Sequence, residues 1–88
     1  MTLSTENTLQ ILRKLVVHKF DVAPEQVQDE QPFTELGLDS LSLVDLIFQT
    51  EDHFGVTIDY ELAIAEPTLA GLARLVVRLS AEKDLVAA

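Results

Sequence analysis

The sequence predicts an all-α fold, a small antiparallel bundle of three main helices and one short helix. Apolar residues recur at helical spacing in three long stretches, the pattern of helices that bury one face. Proline, glycine and capping residues separate these stretches, and no pair of candidate strands is found. A chain of 88 residues is enough for one domain, so we expect a single domain over 1–88 with an ordered core of about residues 5–82. Each helix is too short to be stable alone, so the helices must share one core.

The first predicted helix spans about residues 5–19 and ends near Phe20. Ser4 or Thr5 can cap its start, because a side-chain oxygen there accepts from a free amide of the first turn. Residues 21–24, Asp-Val-Ala-Pro, are typical of a helix break. A helical stripe runs through Leu9, Leu12, Leu15, Val16 and Lys19, and Ile11 and Val17 broaden it.

A long connection over residues 21–38 follows the first helix. Pro24 and Pro32 argue against a continuous helix there, although a short helical turn at Pro24–Val27 suits proline at its first position. Spaced apolar residues are expected to hold the connection against the core, which favours an ordered and functional loop. These anchors are Val22, Val27, Phe33 and Leu36.

The second main helix is predicted to begin at Gly37-Leu38-Asp39-Ser40 and to end at Gly55. Asp39 or Ser40 can cap it. One of its faces holds Leu43, Leu46, Ile47, Thr50 and Phe54 at helical spacing. A second face holds Leu41, Val44, Asp45, Phe48 and Asp52.

The pattern in the last third of the chain predicts a short helix followed by a final long helix. Residues 56–58 are expected to be extended loop, because no partner strand is in view. Asp59 caps a short helix that reaches Ala65, Pro67 interrupts the pattern, and Thr68 caps the last helix. The inward stripe of that helix consists of Leu69, Leu72, Ala73, Val76 and Leu79.

Charge narrows the classes of partner. The net charge is −9, and residues 20–73 hold 12 acidic side chains but no Lys or Arg. This distribution excludes contact with nucleic-acid phosphates or anionic membranes, and it attracts basic surfaces of partner proteins.

Other features of the composition bound the class of protein. The absence of cysteine excludes disulfides and thiolate metal sites. No apolar run approaches the ~20 residues that span a bilayer, and no signal-peptide pattern is present. We therefore expect a cytoplasmic protein without a membrane span.

The segment Leu36-Gly37-Leu38-Asp39-Ser40-Leu41 is the strongest candidate for a chemical role. It places the Ser40 hydroxyl at a helix N-terminus, after a glycine turn and beside an aspartate. Amides without an internal acceptor and the positive end of the helix dipole tolerate a phosphate at such a position. The local pattern alone leaves open that Asp39-Ser40 is only a helix cap.

The same segment resembles the attachment signature of acyl carrier proteins, and the similarity extends over about residues 5–82. Phe33 and Leu36 before the segment, and residues 44–46 and 51–55 after it, follow that family. The resemblance implies that a phosphopantetheinyl transferase moves 4′-phosphopantetheine from coenzyme A to the Ser40 hydroxyl. The terminal thiol of the attached phosphopantetheine then carries acyl groups as thioesters. The resemblance thus implies a carrier for fatty-acid, polyketide or related secondary-metabolite synthesis, not an enzyme.

The resemblance also implies that the second helix is the recognition element for partner enzymes. Those partners are the transferase and acyl-loading, elongating or transferring enzymes with basic docking patches. The carrier itself is expected to be a monomer. For Val44 and Phe48 the alternative is core packing, and for the acidic residues it is a solvated helix face. The implied contact residues are Asp39, Leu41, Val44, Asp45, Phe48, Glu51 and Asp52.

Some positions depart from the pattern of fatty-acid carriers. Ser42 stands where an acidic residue is usual, Phe48 replaces a methionine or aliphatic residue, and Arg74 and Arg78 lie in a helix that is otherwise acidic in that family. These departures favour a specialised stand-alone carrier.

Two other classes of protein stay open. One is a D-alanyl or peptidyl carrier, although a peptidyl carrier usually has a second glycine where Leu38 stands. The other is a helical interaction module with an unmodified Ser40. His18 and His53 are interpreted as structural or surface residues, and no metal site is predicted.

Overall fold

A computed structural model describes the backbone of residues 4–87 and the side chains of residues 4–82. Two 3₁₀ turns, Pro24–Gln26 and Phe33–Leu36, lie between the first two helices. Over residues 4–87 no strand forms, and only an isolated bridge joins Pro32 to Thr68. These elements confirm the predicted all-α class and the small helical bundle. The helices are α1 (Thr5–Phe20), α2 (Ser40–Phe54), α3 (Tyr60–Ala65) and α4 (Leu69–Ala87).

The core is made by the inward stripes of the three long helices. Fully burying a Leu or Val side chain stabilises a fold by about 1.5–3 kcal/mol, so these stripes account for the association of the helices. The buried polar side chains Thr8 and Thr50 donate their hydroxyls to the carbonyls of Ser4 and Leu46, at 2.8 and 2.7 Å, which satisfies them within the apolar interior. The central buried residues are Leu12, Val16, Leu46, Ile47, Leu69, Leu72 and Val76.

Each helix start is capped by a side chain that the sequence had marked. Ser4 rather than Thr5 caps α1, since the Asn7 amide donates to Ser4 Oγ at 3.0 Å. Asp59 accepts from the Glu61 amide at 2.9 Å, and Thr68 Oγ1 accepts from the Gly71 amide at 3.0 Å. The backbone of α4 is helical as far as Ala87, which is beyond the expected end of the ordered core near residue 82.

The long connection is tied to α1 and to the start of α4. Its apolar anchors Val27 and Phe33 are buried, as predicted. Polar contacts add to them: Arg13 of α1 pairs with the Asp29 carboxylate, and the Asp29 carbonyl accepts from the Ala70 amide at 2.8 Å. The Phe33 amide donates to the Pro67 carbonyl at 2.8 Å. The connection therefore delivers the chain to α2 from a fixed position.

Gly71 allows α4 to approach the end of α3 closely. A Cβ at this position would lie 2.4 Å from the backbone oxygen of Glu66. Only a residue without a side chain fits that contact. None of the described helices is both long enough and apolar enough to cross a membrane.

Candidate functional site at the start of α2

Gly37 turns the chain from the second 3₁₀ turn towards α2. Its φ of +82° lies in the left-handed region, which a residue with a Cβ disfavours. The Gly37 amide donates to the Thr34 carbonyl and the Leu38 amide to the Phe33 carbonyl, both at 3.2 Å. Leu38 is buried and Asp39 is exposed, so the turn brings the chain to the surface just before α2.

Asp39 is the cap that the sequence left undecided between two residues. Its Oδ1 accepts from the Ser42 amide at 2.8 Å, and its carbonyl accepts from the Leu43 amide at 2.9 Å. The hydrogen bond from the Ser42 amide, helped by the Ser42 hydroxyl, lowers the pKa of the Asp39 carboxyl from its ordinary value of 3.8. Asp39 is therefore a carboxylate at neutral pH, committed to α2 itself.

Ser40 is the first residue of α2 and its side chain is exposed. Its hydroxyl makes no hydrogen bond within the described part of the chain. The first amides of a helix have no acceptor inside the helix, and they lie at the positive end of its dipole. Ser40 Oγ is thus accessible to an enzyme and stands where an attached phosphate is stabilised.

Four of the predicted contact residues come together beside Ser40. Leu41, Val44, Asp45 and Phe48 line a surface groove of about 420 Å³, together with Ser42. Leu41 is 78% exposed and Phe48 is 61% exposed. Phe48 is therefore not a core residue, which removes the alternative that the sequence left open for it.

The acidic residues of α2 differ in how they are engaged. Lys19 Nζ of α1 lies 3.2 Å from Asp45 Oδ2. The Glu51 Oε2 accepts from the Ile58 amide at 2.7 Å, so this half-buried carboxylate holds the loop after α2. The Asp52 side chain is exposed and has neither an ion pair nor a hydrogen bond among the described residues. Among the acidic residues of α2, Asp52 is thus the one whose carboxylate contacts only solvent.

Sequence reasoning missed the partners of these acids. Lys19 shares a helical stripe of α1 with apolar residues, which is a usable signal that its side chain lies near another helix. No comparable signal marked the Ile58 amide as the partner of Glu51. His18 and His53 are both exposed, and the His53 ring meets only the edge of Phe54, with centroids 4.9 Å apart. Over the described residues no group of His, Asp or Glu side chains is placed to hold a metal ion.

Comparison with known proteins gives consistent matches over most of the chain. The model of the family described as "phosphopantetheine attachment site" matches residues 10–76. An acyl carrier protein of Wolinella succinogenes is 35% identical over 66 residues, which is 74% of this chain and 87% of that protein. The non-reducing polyketide synthase Preu6 of Preussia isomera is 33% identical over 76 residues, which is 86% of this chain but 3% of the synthase.

A solved structure has the same fold. The crystal structure of an acyl carrier protein from Thermotoga maritima superposes with a TM-score of 0.76 at 26% sequence identity. The match covers 89% of this chain and 92% of that one. The overall fold of this chain is therefore one that is already known from a solved structure.

Proposed function

The chain belongs to the acyl carrier protein family, and on that premise we propose that Ser40 holds its 4′-phosphopantetheine. Family membership makes the protein a carrier of acyl groups on covalently attached phosphopantetheine, and not an enzyme. The observation that supports Ser40 is its exposed hydroxyl without an internal hydrogen bond at the first residue of α2.

The residues around Ser40 suit a phosphodiester. The Asp39 carboxylate accepts from the Ser42 amide, while the positive end of the helix dipole favours a negative group at Ser40. When bound, the group supplies a terminal thiol that carries acyl groups as thioesters, and the chain itself has no cysteine to do so. The protein's own part is to hold Ser40 at the surface and to keep a docking face beside it.

Intact-mass measurement tests the assignment directly. The purified chain is incubated with coenzyme A and a broad-specificity phosphopantetheinyl transferase. We expect the native chain and a Ser42→Ala control to gain one phosphopantetheine group each, and Ser40→Ala to gain none. No gain in the native chain, beside a known carrier that is modified, contradicts the proposal, and so does a gain that survives Ser40→Ala.

The outward face of α2 is the proposed docking surface. An acyl carrier interacts with its transferase and with synthase enzymes in general, and we assign that contact to partners with basic patches. Leu41, Val44 and Phe48 supply apolar area around the groove. Asp39 and Asp52 supply negative potential that accelerates encounter, and Asp45 adds to it when its ion pair with Lys19 opens. Glu51 adds to the same potential, although its Oε2 also serves the loop after α2.

The pathway is proposed as that of a specialised carrier, such as one in polyketide or other secondary-metabolite synthesis. Ser42 and Phe48 favour it, because they make the docking helix less acidic and bulkier than the pattern of fatty-acid carriers. The match to a carrier segment within a polyketide synthase is compatible with it. Loading by an amino-acid-activating enzyme, as for a D-alanyl or peptidyl carrier, is the second candidate. The cytoplasmic location and the monomeric state stay predictions from the sequence.

A further inference from the structure

The groove on α2 contains one ionisable side chain, and that side chain already has a partner. Asp45 lines the groove together with Leu41, Ser42, Val44 and Phe48. Its Oδ2 lies 3.2 Å from Lys19 Nζ, and the two side chains are 45% and 38% exposed. Solvent reaches both ends of this pair, and exposed ion pairs of this kind are weak. The pair can therefore open when a Lys or Arg of a partner protein approaches Asp45.

Apolar side chains dominate the rest of the groove. Leu41 and Phe48 are the most exposed of the large hydrophobic residues in the described part of the chain, at 78% and 61%. Ser42 contributes a hydroxyl and no charge. In a protein of net charge −9, the groove beside Ser40 is thus close to neutral, because Lys19 compensates its only acid.

We infer that Lys19 competes with partner cations for Asp45 and so makes the groove selective for an apolar side chain flanked by Lys or Arg. The apolar side chain lies between Leu41 and Phe48, and the flanking cation replaces Lys19 at Asp45. A surface that offers cations alone only exchanges one weak ion pair for another and gains little, because Lys19 is tethered next to Asp45 and present at high effective concentration. Lys19 is in this sense a specificity-determining residue. The inference rests on the proposed docking role of α2.

A double-mutant cycle tests the inference, with a broad-specificity phosphopantetheinyl transferase as the probe. The association rate constant of the unmodified carrier with the transferase is measured at low and high salt for Lys19→Gln, Asp45→Asn and the double variant. Lys19→Met keeps the aliphatic stem and serves as a second form of the first change. Lys14→Gln is the matched control, since Lys14 is an exposed lysine on the same helix without an ion pair in the described residues.

We expect Lys19→Gln and Lys19→Met to raise the association rate about two- to fivefold at low salt, and Lys14→Gln to raise it clearly less. In the Asp45→Asn background, removal of Lys19 is expected to have no more effect than Lys14→Gln. Phe48→Ala is expected to speed dissociation from the transferase, measured in the same experiments, more than Asp45→Asn does in the native background.

Two other results would contradict the inference or the proposed function. If the Lys19 and Lys14 changes have equal effects, or if the Lys19 effect persists without Asp45, Lys19 does not compete for Asp45 and the inference is wrong. Addition of phosphopantetheine at Ser40 then still occurs, so the proposed function stands. A native chain that gains no phosphopantetheine overturns the proposed function as well. Thermal melts of all variants separate a change in folding from a change in docking.

Discussion

Before Ser40 the chain is tied to two helices, whereas after Ser40 the outward face of α2 is largely unengaged. The connection buries Phe33, pairs Asp29 with Arg13 and shares backbone hydrogen bonds with Pro67 and Ala70. The face of α2 instead exposes Leu41 and Phe48 beside a groove. The difference separates two tasks, because a fixed connection positions the attachment residue and an open face is left for partners.

The two phenylalanines of these regions give the sharpest contrast. Phe33 is 2% exposed and Phe48 is 61% exposed. Phe33→Ala is expected to lower the free energy of unfolding by about 3–5 kcal/mol, because it leaves a cavity in the core. Phe48→Ala is expected to stay within about 0.5 kcal/mol of the native chain while weakening association with the transferase. Urea unfolding measures the first quantity, and similar losses for both variants would remove the contrast.

The contact between α3 and α4 is the next largest expected effect. Gly71→Ala places a Cβ against the Glu66 carbonyl, so we expect a loss of about 1–3 kcal/mol in the free energy of unfolding. Helix propensity alone would make the same change stabilising by about 1 kcal/mol. The sign of the shift in thermal melting therefore decides between the two, and a stabilised variant would refute the close approach.

The polar attachment of the connection is expected to be weaker than its apolar anchors. Asp29→Ala removes the partner of Arg13, and since both side chains are partly exposed we expect a loss of about 1 kcal/mol. Hydrogen exchange of the connection amides should become faster in this variant. Asp52→Ala is the control, because Asp52 has no partner in the described chain and is expected to change stability by less than about 0.5 kcal/mol.

The cap at Asp39 should give a small pH dependence at the junction of the two regions. Its pKa is lower in the folded chain than the ordinary value of 3.8, so its contribution is complete above that value and is lost as the pH falls through the lower folded-state pKa. Asp39→Asn keeps a capping side chain but removes this titration. Melting temperatures of the native chain and of Asp39→Asn are measured from about pH 6 to about pH 2, a range that brackets the carboxyl pKa of about 4. The two temperatures should converge at the acid end, and a constant difference between them would argue against the effect.

Local interactions explain why much of the fold was predictable. Apolar residues three or four positions apart mark a helix face, and a cap joins residues two or three positions apart, so both can be read from short stretches. The helix bounds, the cap at Asp59 and the turn at Pro24 were found in this way. The second 3₁₀ turn, Phe33–Leu36, was not found, since the sequence marked only the apolar anchors Phe33 and Leu36 there. The long-range bond from the Phe33 amide to the Pro67 carbonyl, which fixes this turn against the start of α4, had no local signal either.

The sequence by itself determined the all-α class, the helix order and the position of Ser40 at a helix start after a glycine turn. Only the tertiary structure decided that Lys19 meets Asp45, that Glu51 serves a loop, and that Phe48 stands exposed. These contacts join elements that are separate along the chain, and their distances depend on how the helices pack around the shared core. Ser40 is thus placed by local chemistry, whereas the charge and the apolar area that surround it are set by packing.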